Sequence, residues 1–151
     1  MNRLILLLAS GIGAGHSPIV PGTMGTLVAV PIYYFVSSIP SPLYELTLVA
    51  FFFLSSWIAD RAERHWGKKD DRRIVIDEIM GFLVTMLWAP KSFLSIAAGF
   101  VLFRFFDILK PFPIRRLEGV TSGYGVVLDD VLAGVYANIV LQLLHRIMQL
   151  Q

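Results

Sequence analysis

The chain has 151 residues, of which 56% are hydrophobic and 16% charged, and its mean hydropathy is +0.67. An average soluble domain is about 25% charged, so the composition describes a membrane protein, built as one domain over 1–151. The net charge of +2 is too small to argue for nucleic acid, and the absence of cysteine excludes disulfides, zinc ribbons and every hydrolase with a cysteine nucleophile.

Apolar residues 4–9 form a short run that leads into a glycine/proline loop instead of a small-residue cleavage site, so no cleavable signal is expected. Inside that loop, "GHSPIVPGTMGT" (15–26) gathers glycines and two prolines around Ser17, Thr23 and Thr26 without a charge. Residues 24–39 can follow as one apolar helix with Thr23 as its N-cap. "PSP" (40–42) breaks the chain, and 43–59 can be a second helix. Both are short against a hydrocarbon thickness of ~30 Å, yet together they read as a membrane hairpin. The run "DRAERHWGKKDDRR" (60–73) sets six Lys/Arg against four Asp/Glu and reads as a solvated loop or helix extension.

Residues 74–89 are apolar except for Asp77 and Glu78. After Pro90 and Lys91, residues 92–110 form a further helix, apolar until Arg104. Pro111 and Pro113 end it, a basic loop with Arg115 and Arg116 follows, and a long helix over 126–148 carries Asp129 and Asp130 near its start. The expected fold is all-α, a compact multi-helix membrane protein with about four or five apolar helices and a glycine/proline loop before the first spanning one. Basic loops prefer the cytoplasmic side, which places 60–73 and 110–118 inside and the uncharged "PSP" turn and lone Lys91 outside. Followed through the alternation, the starts of the Asp77 and Asp130 helices, the end of the Asp107 helix and the opening loop all reach the cytoplasmic face.

Acidic residues at the border of a bilayer are costly, and are commonly paired, metal-bound or functional. Helix capping is the competing explanation for Asp77, Glu78, Asp129 and Asp130. It does not serve Asp107, which lies near a helix C-terminus, although Arg104 and Lys110 stand three residues away on either side as ion-pair partners. Asp130, Gly134, Ala137 and Asn138 share one helical face, while Asp77, Gly81 and Thr85 line up at four-residue steps. Rows of small residues let helices approach closely.

Several carboxylates with no cysteine and few histidines suit Mg²⁺. Arg104, Lys110, Arg115 and Arg116 supply cations for a phosphate. Mg²⁺ beside a phosphate, with acids to orient water, is the equipment of metal-assisted phosphoryl hydrolysis. The glycine loop is then either a helix-entry turn or a phosphate cradle; with no βαβ unit around it, it is no dinucleotide fingerprint. His16 within it reads as a bystander, and His65 and His145 as solvated or interfacial.

Four blocks, "GHSPIVPGTMGTL", "IVIDEIMG", "FRFFDILKPFPIR" and "GYGVVLDDVLAG", resemble the phosphatidylglycerophosphatase A family in order and spacing, from Gly11 to about Ala137. The resemblance implies a Mg²⁺-dependent, multi-pass enzyme of the bacterial inner membrane that removes the terminal phosphate of a phospholipid, phosphatidylglycerophosphate. Matched motif by motif, it supplies Asp77, Asp107, Lys110 and Asp129 as catalytic residues and Glu78, Asp107 and Asp130 as metal ligands. Pro21, Gly22, Thr23, Gly25, Thr26, Arg104 and Arg115 become substrate-binding; the family often has Ser where Thr26 stands. Which acid is ligand and which is base stays open, as does an aspartyl-phosphate intermediate. The alternatives are a CDP-alcohol phosphotransferase, whose DG-x-x-AR element is not found here, and a non-enzymatic small transporter or assembly subunit. No oligomeric state follows from the sequence.

Overall fold

In the computed structural model, which describes residues 3–117, 119–120 and 122–149, seven helices and one 3-10 turn follow one another. They are α1 (Arg3–Ala9), the turn Ala14–His16, α2 (Pro21–Val36), α3 (Leu43–Trp66), α4 (Ile76–Thr85), α5 (Phe93–Leu109), α6 (Ile114–Leu117) and α7 (Gly123–Gln149). Among the described residues there is no strand, as expected of an all-α fold.

The boundaries depart from the expected ones for identifiable reasons. α2 starts at Pro21 instead of residue 24, because a proline suits the first helical position, where its missing N–H has no role. Thr23 therefore lies inside the first turn and is not the cap; the preceding residue is Val20, with φ 46°. α3 continues beyond 59 through the charged stretch to Trp66 and stops at Gly67. There φ is 66°, and the Gly67 N–H donates to the Glu63 carbonyl at 2.9 Å.

The largest correction concerns 74–89, where only the ten residues Ile76–Thr85 are helical. At ~1.5 Å per residue α4 is about 15 Å long, half the hydrocarbon thickness, and α2 and α5 also fall short. Among the described residues two helices, not four or five, are long and apolar enough to cross a bilayer: Leu43–Trp66 and Gly123–Met148. α4 packs against α2, α3, α5 and α7, and every residue in it except Glu78 is buried. A helix that is apolar on every side has no face to give to solvent. Large side chains elsewhere, including Phe35, Phe93, Val101 and Ile108, stand exposed on the outer faces of α2 and α5. Lipid would cover such surface, which fits membrane association.

The two small-residue rows meet. A Cβ at Gly134 would overlap the Gly81 carbonyl, and one at Gly81 would lie 2.7 Å from the Asp130 carbonyl, so α4 and α7 touch backbone to backbone. One turn further on, the Asn138 amide donates to the carbonyls of Thr85 at 2.8 Å and Leu87 at 2.7 Å. This crossing sets the distance between Asp77 and Asp130. Gly134→Val should cost about 1–3 kcal/mol or more, the range for overpacking a tight core. Thermal unfolding in detergent measures it, and an unchanged Tm would contradict the crossing.

Candidate active site

Asp77 and Glu78 occupy the first turn of α4, where Asp77 is 6% exposed and Glu78 is half-buried. Across the crossing, Asp129 and Asp130 project from the second turn of α7 and are 5% and 4% exposed. One carboxylate oxygen from each of Asp77, Glu78 and Asp130 lies within 4.8 Å of the other two. Asp77 Oδ1, Glu78 Oε2 and Asp130 Oδ2 are buried and find no hydrogen-bond partner among the described residues. Burial raises the Asp77 and Glu78 carboxyls above the usual carboxylate range, Glu78 adding to the rise at Asp77, and Asp130 and Asp107 to that at Glu78. Three crowded acceptors without donors are costly unless a cation or protons join them.

The basic side chains arrive from α5. Arg104 Nη1 pairs with Asp107 Oδ2 at 2.6 Å, the i,i+3 ion pair that relieves a carboxylate near a helix C-terminus. Asp107 also faces the Asp130 carboxyl. Lys110 ends α5 in the left-handed conformation (φ 44°), which glycine more often takes, and its Nζ reaches Asp129 Oδ2 on α7 at 2.6 Å. The other oxygen of Asp129 accepts from the Asp130 amide at 3.1 Å.

The first turn of α2 closes the group. Gly22 lies so near Glu78 and Arg104 that a Cβ there would overlap Glu78 Oε1 and stand 3.1 Å from Arg104 Nη1. The Met24 amide already donates to the Val20 carbonyl, which leaves the Gly22 and Thr23 amides as the turn's outward donors, Pro21 having none. Thr26 instead turns its hydroxyl back to the Gly22 carbonyl at 3.0 Å. Gly25 is set against Val75, a packing position.

The structure thus brings Asp77, Glu78, Asp107, Asp129, Asp130, Arg104, Lys110 and Gly22 together. Arg115 stands apart from them: it is exposed, and its guanidinium donates to the Leu109 carbonyl at 3.5 Å. His16 packs edge-on against Trp66 at 6.4 Å. Lys69 and Asp70, assigned by sequence to a solvated run, line a small cleft with Gly125, Val126 and Asp129. The signal that points to them is the run's position directly before the "IVIDE" block. The convergence expected from alternating spans is real, but packing around the short α4 produces it.

Comparison with known proteins places the chain in a family. A family model described as Phosphatidylglycerophosphatase A matches residues 7–145. The chain is 40% identical over 131 residues to phosphatidylglycerophosphatase A of Escherichia coli K12, covering 85% of this chain and 76% of that protein. It is 40% identical over 139 residues to the protein of that name from Haemophilus influenzae, covering 90% and 85%. A Bacteroides thetaiotaomicron protein named "Putative phosphatidylinositol-3-phosphatase" is 39% identical over 146 residues, covering 91% of each. No solved structure matches. With a match across nearly its whole length, this chain belongs to the phosphatidylglycerophosphatase A family.

Proposed function

We propose that this protein hydrolyses the terminal phosphate monoester of phosphatidylglycerophosphate at the carboxylate cluster, giving phosphatidylglycerol and inorganic phosphate. Family membership supports the activity. The observation that carries the site is the set of three buried, unpartnered carboxylate oxygens beside Gly22, Arg104 and Lys110.

The donor set fits Mg²⁺: hard oxygens, three carboxylates, and two basic side chains held close by Asp107 and Asp129. Asp77, Glu78 and Asp130 would hold the ion, with Asp107 at the edge between Asp130 and the Arg104 guanidinium. When bound, it supplies Lewis-acid stabilisation of charge on the phosphoryl oxygens.

The remaining roles belong to the chain. The Gly22 and Thr23 amides at the positive end of α2 receive phosphate oxygens. Arg104 balances charge on the same group while paired with Asp107 at 2.6 Å. Asp129, fixed by Lys110 and by the Asp130 amide, orients the attacking water and takes its proton. Lys110 donates a proton to the glycerol oxygen as the P–O bond breaks. The enzyme works as a multi-pass protein of the bacterial inner membrane, anchored by α3 and α7, with the cluster on the cytoplasmic side among the basic segments 60–73 and 110–118.

The test compares phosphate release from phosphatidylglycerophosphate, phosphatidic acid, phosphatidylinositol 3-phosphate and a soluble monoester, each with Mg²⁺ and with chelator. Phosphatidylglycerophosphate should react at least about tenfold faster than the others, a discrimination of ~1.4 kcal/mol, and chelation should abolish the rate. Equal rates on all four substrates, or indifference to chelator, would refute the reading. Faster release from phosphatidylinositol 3-phosphate would move the function toward the Bacteroides relative's name.

A further inference from the structure

Beside the active site, the charged segment after α3 contains a closed set of contacts that does not reach the carboxylates. Asp71 is 6% exposed and binds Arg73 three times. Its Oδ1 accepts from the Arg73 backbone N–H at 3.1 Å and from Nε at 2.7 Å, and its Oδ2 accepts from Nη2 at 2.9 Å. The guanidinium lies over the ring of Trp66, 4.3 Å from its centroid, at the end of α3. The Ile74 amide donates to the Asp71 carbonyl at 2.7 Å. A planar fork that binds both oxygens of one carboxylate and stacks on a ring is arginine chemistry that lysine does not reproduce.

These contacts fix the backbone of residues 73–75. Gly15 lies against the Arg73 carbonyl so closely that any Cβ there would overlap it. The Val75 N–H donates to the Ala9 carbonyl at 2.9 Å. A Cβ at Gly25 would stand 2.6 Å from Val75 Cβ, and one at Gly11 2.8 Å from Val75 Cγ2. Gly25 belongs to the start of α2, and Val75 is the residue from which α4 begins. The helix starts that carry Gly22 and the Asp77–Glu78 pair therefore rest on one three-residue segment.

We infer that the Asp71–Arg73–Trp66 clamp positions the active site: Arg73 sets the spacing between the first turn of α2 and the carboxylates of α4 without touching the substrate. The inference rests on the metal and phosphate roles given above. Near-attack geometry is sensitive to shifts of about 1 Å made far from the chemistry, so a residue that holds this spacing acts on turnover.

The test uses the full chain in phospholipid vesicles, with Arg73→Gln, Arg73→Lys, Asp71→Asn, the double variant Asp71→Asn/Arg73→Gln, and Asp130→Asn as reference. Arg73→Gln should lower kcat about tenfold, and should raise about tenfold the Mg²⁺ concentration that gives half of the metal-induced rise in Tm. Asp71→Asn should match it, and the double variant should be no worse than either, because the partners act as one unit. Arg73→Lys keeps the charge but loses fork and stacking; it should show the same shifts, and it carries the comparison if Arg73→Gln does not fold. A pair that only supports folding would lower Tm while leaving kcat per folded molecule and the Mg²⁺ midpoint unchanged, and that result overturns the inference, as do fully additive losses. If Asp130→Asn is inactive while the Arg73 variants keep the parental kcat and midpoint, the clamp alone is overturned. If Asp130→Asn turns over like the parent, the site assignment fails and the positioning role falls with it.

Discussion

Asp130→Asn should lower phosphate release from phosphatidylglycerophosphate by at least about 100-fold, since changing even the partners of metal ligands costs 10–100-fold. The substitution keeps the shape of the side chain, and its backbone amide still reaches Asp129. It removes one of three negative charges whose oxygens lie within 4.8 Å of one another. Without metal, three crowded carboxylates, two of them buried, oppose folding, so Asn at this position should leave Tm unchanged or raise it. Activity and stability then move in opposite directions, which separates loss of a ligand from loss of the fold. The metal-induced rise in Tm should vanish in the same variant. Parental turnover in Asp130→Asn would show that the cluster is not the reaction centre. Asp129→Asn tests a different contact, because it weakens the 2.6 Å bond from Lys110 and leaves the three-oxygen group intact.

Gly22→Ala should reduce turnover by about 100-fold, the loss expected from a misplacement on the order of 1 Å at reacting groups. In an exposed helix the same change is favourable, Ala exceeding Gly by about 1 kcal/mol in helix propensity. Here the added methyl meets Glu78 Oε1 and stands 3.1 Å and 3.2 Å from the two terminal nitrogens of Arg104. Both side chains can move aside, so the fold survives, but Glu78 would leave the place proposed for the ion and Arg104 the place proposed for the phosphate. Circular dichroism should stay unchanged while the rate falls. Parental kcat in Gly22→Ala would remove the α2 turn from the site. Gly25→Ala is the contrasting case: its Cβ would press on Val75, so stability should fall along with activity.

Much of the site was legible in the chain because each block couples a chemical residue to a reason for its position. Asp107, disfavoured at a helix C-terminus, pointed to its partner at i−3, and Arg104 is there. The rows Asp77–Gly81–Thr85 and Asp130–Gly134–Asn138 pointed to two helices in close approach, and these rows pack against each other. Less was legible in the elements. The apolar pattern over 74–89 is the same for a spanning helix as for a short helix buried on all sides, because lipid and protein interior are equally apolar. Pro21 as the first residue of α2 was hidden by reading Thr23 as the cap. Most of the charge run is a solvated extension of α3 and loop, as expected; Asp71 and Arg73 are the exception, because they satisfy each other and the Trp66 ring that lies before them in the chain.

The sequence by itself narrowed the class of chemistry. Carboxylates without cysteine, basic side chains at one helix end and a glycine turn before a helix suit phosphoryl chemistry, with a hard cation as the expectation, and exclude cysteine-based hydrolysis. The four ordered blocks narrowed that to one family, to which the chain belongs. Only the tertiary structure decided which acids share a centre. Helical periodicity places a side chain on a face but says nothing of the distance to another helix, and here a glycine-to-glycine crossing sets that distance. The crossing brings one carboxylate oxygen from each of Asp77, Glu78 and Asp130 within 4.8 Å of the other two, while α5 adds its own Arg104–Asp107 pair, reaches Asp129 on α7 through Lys110, and leaves Arg115 outside.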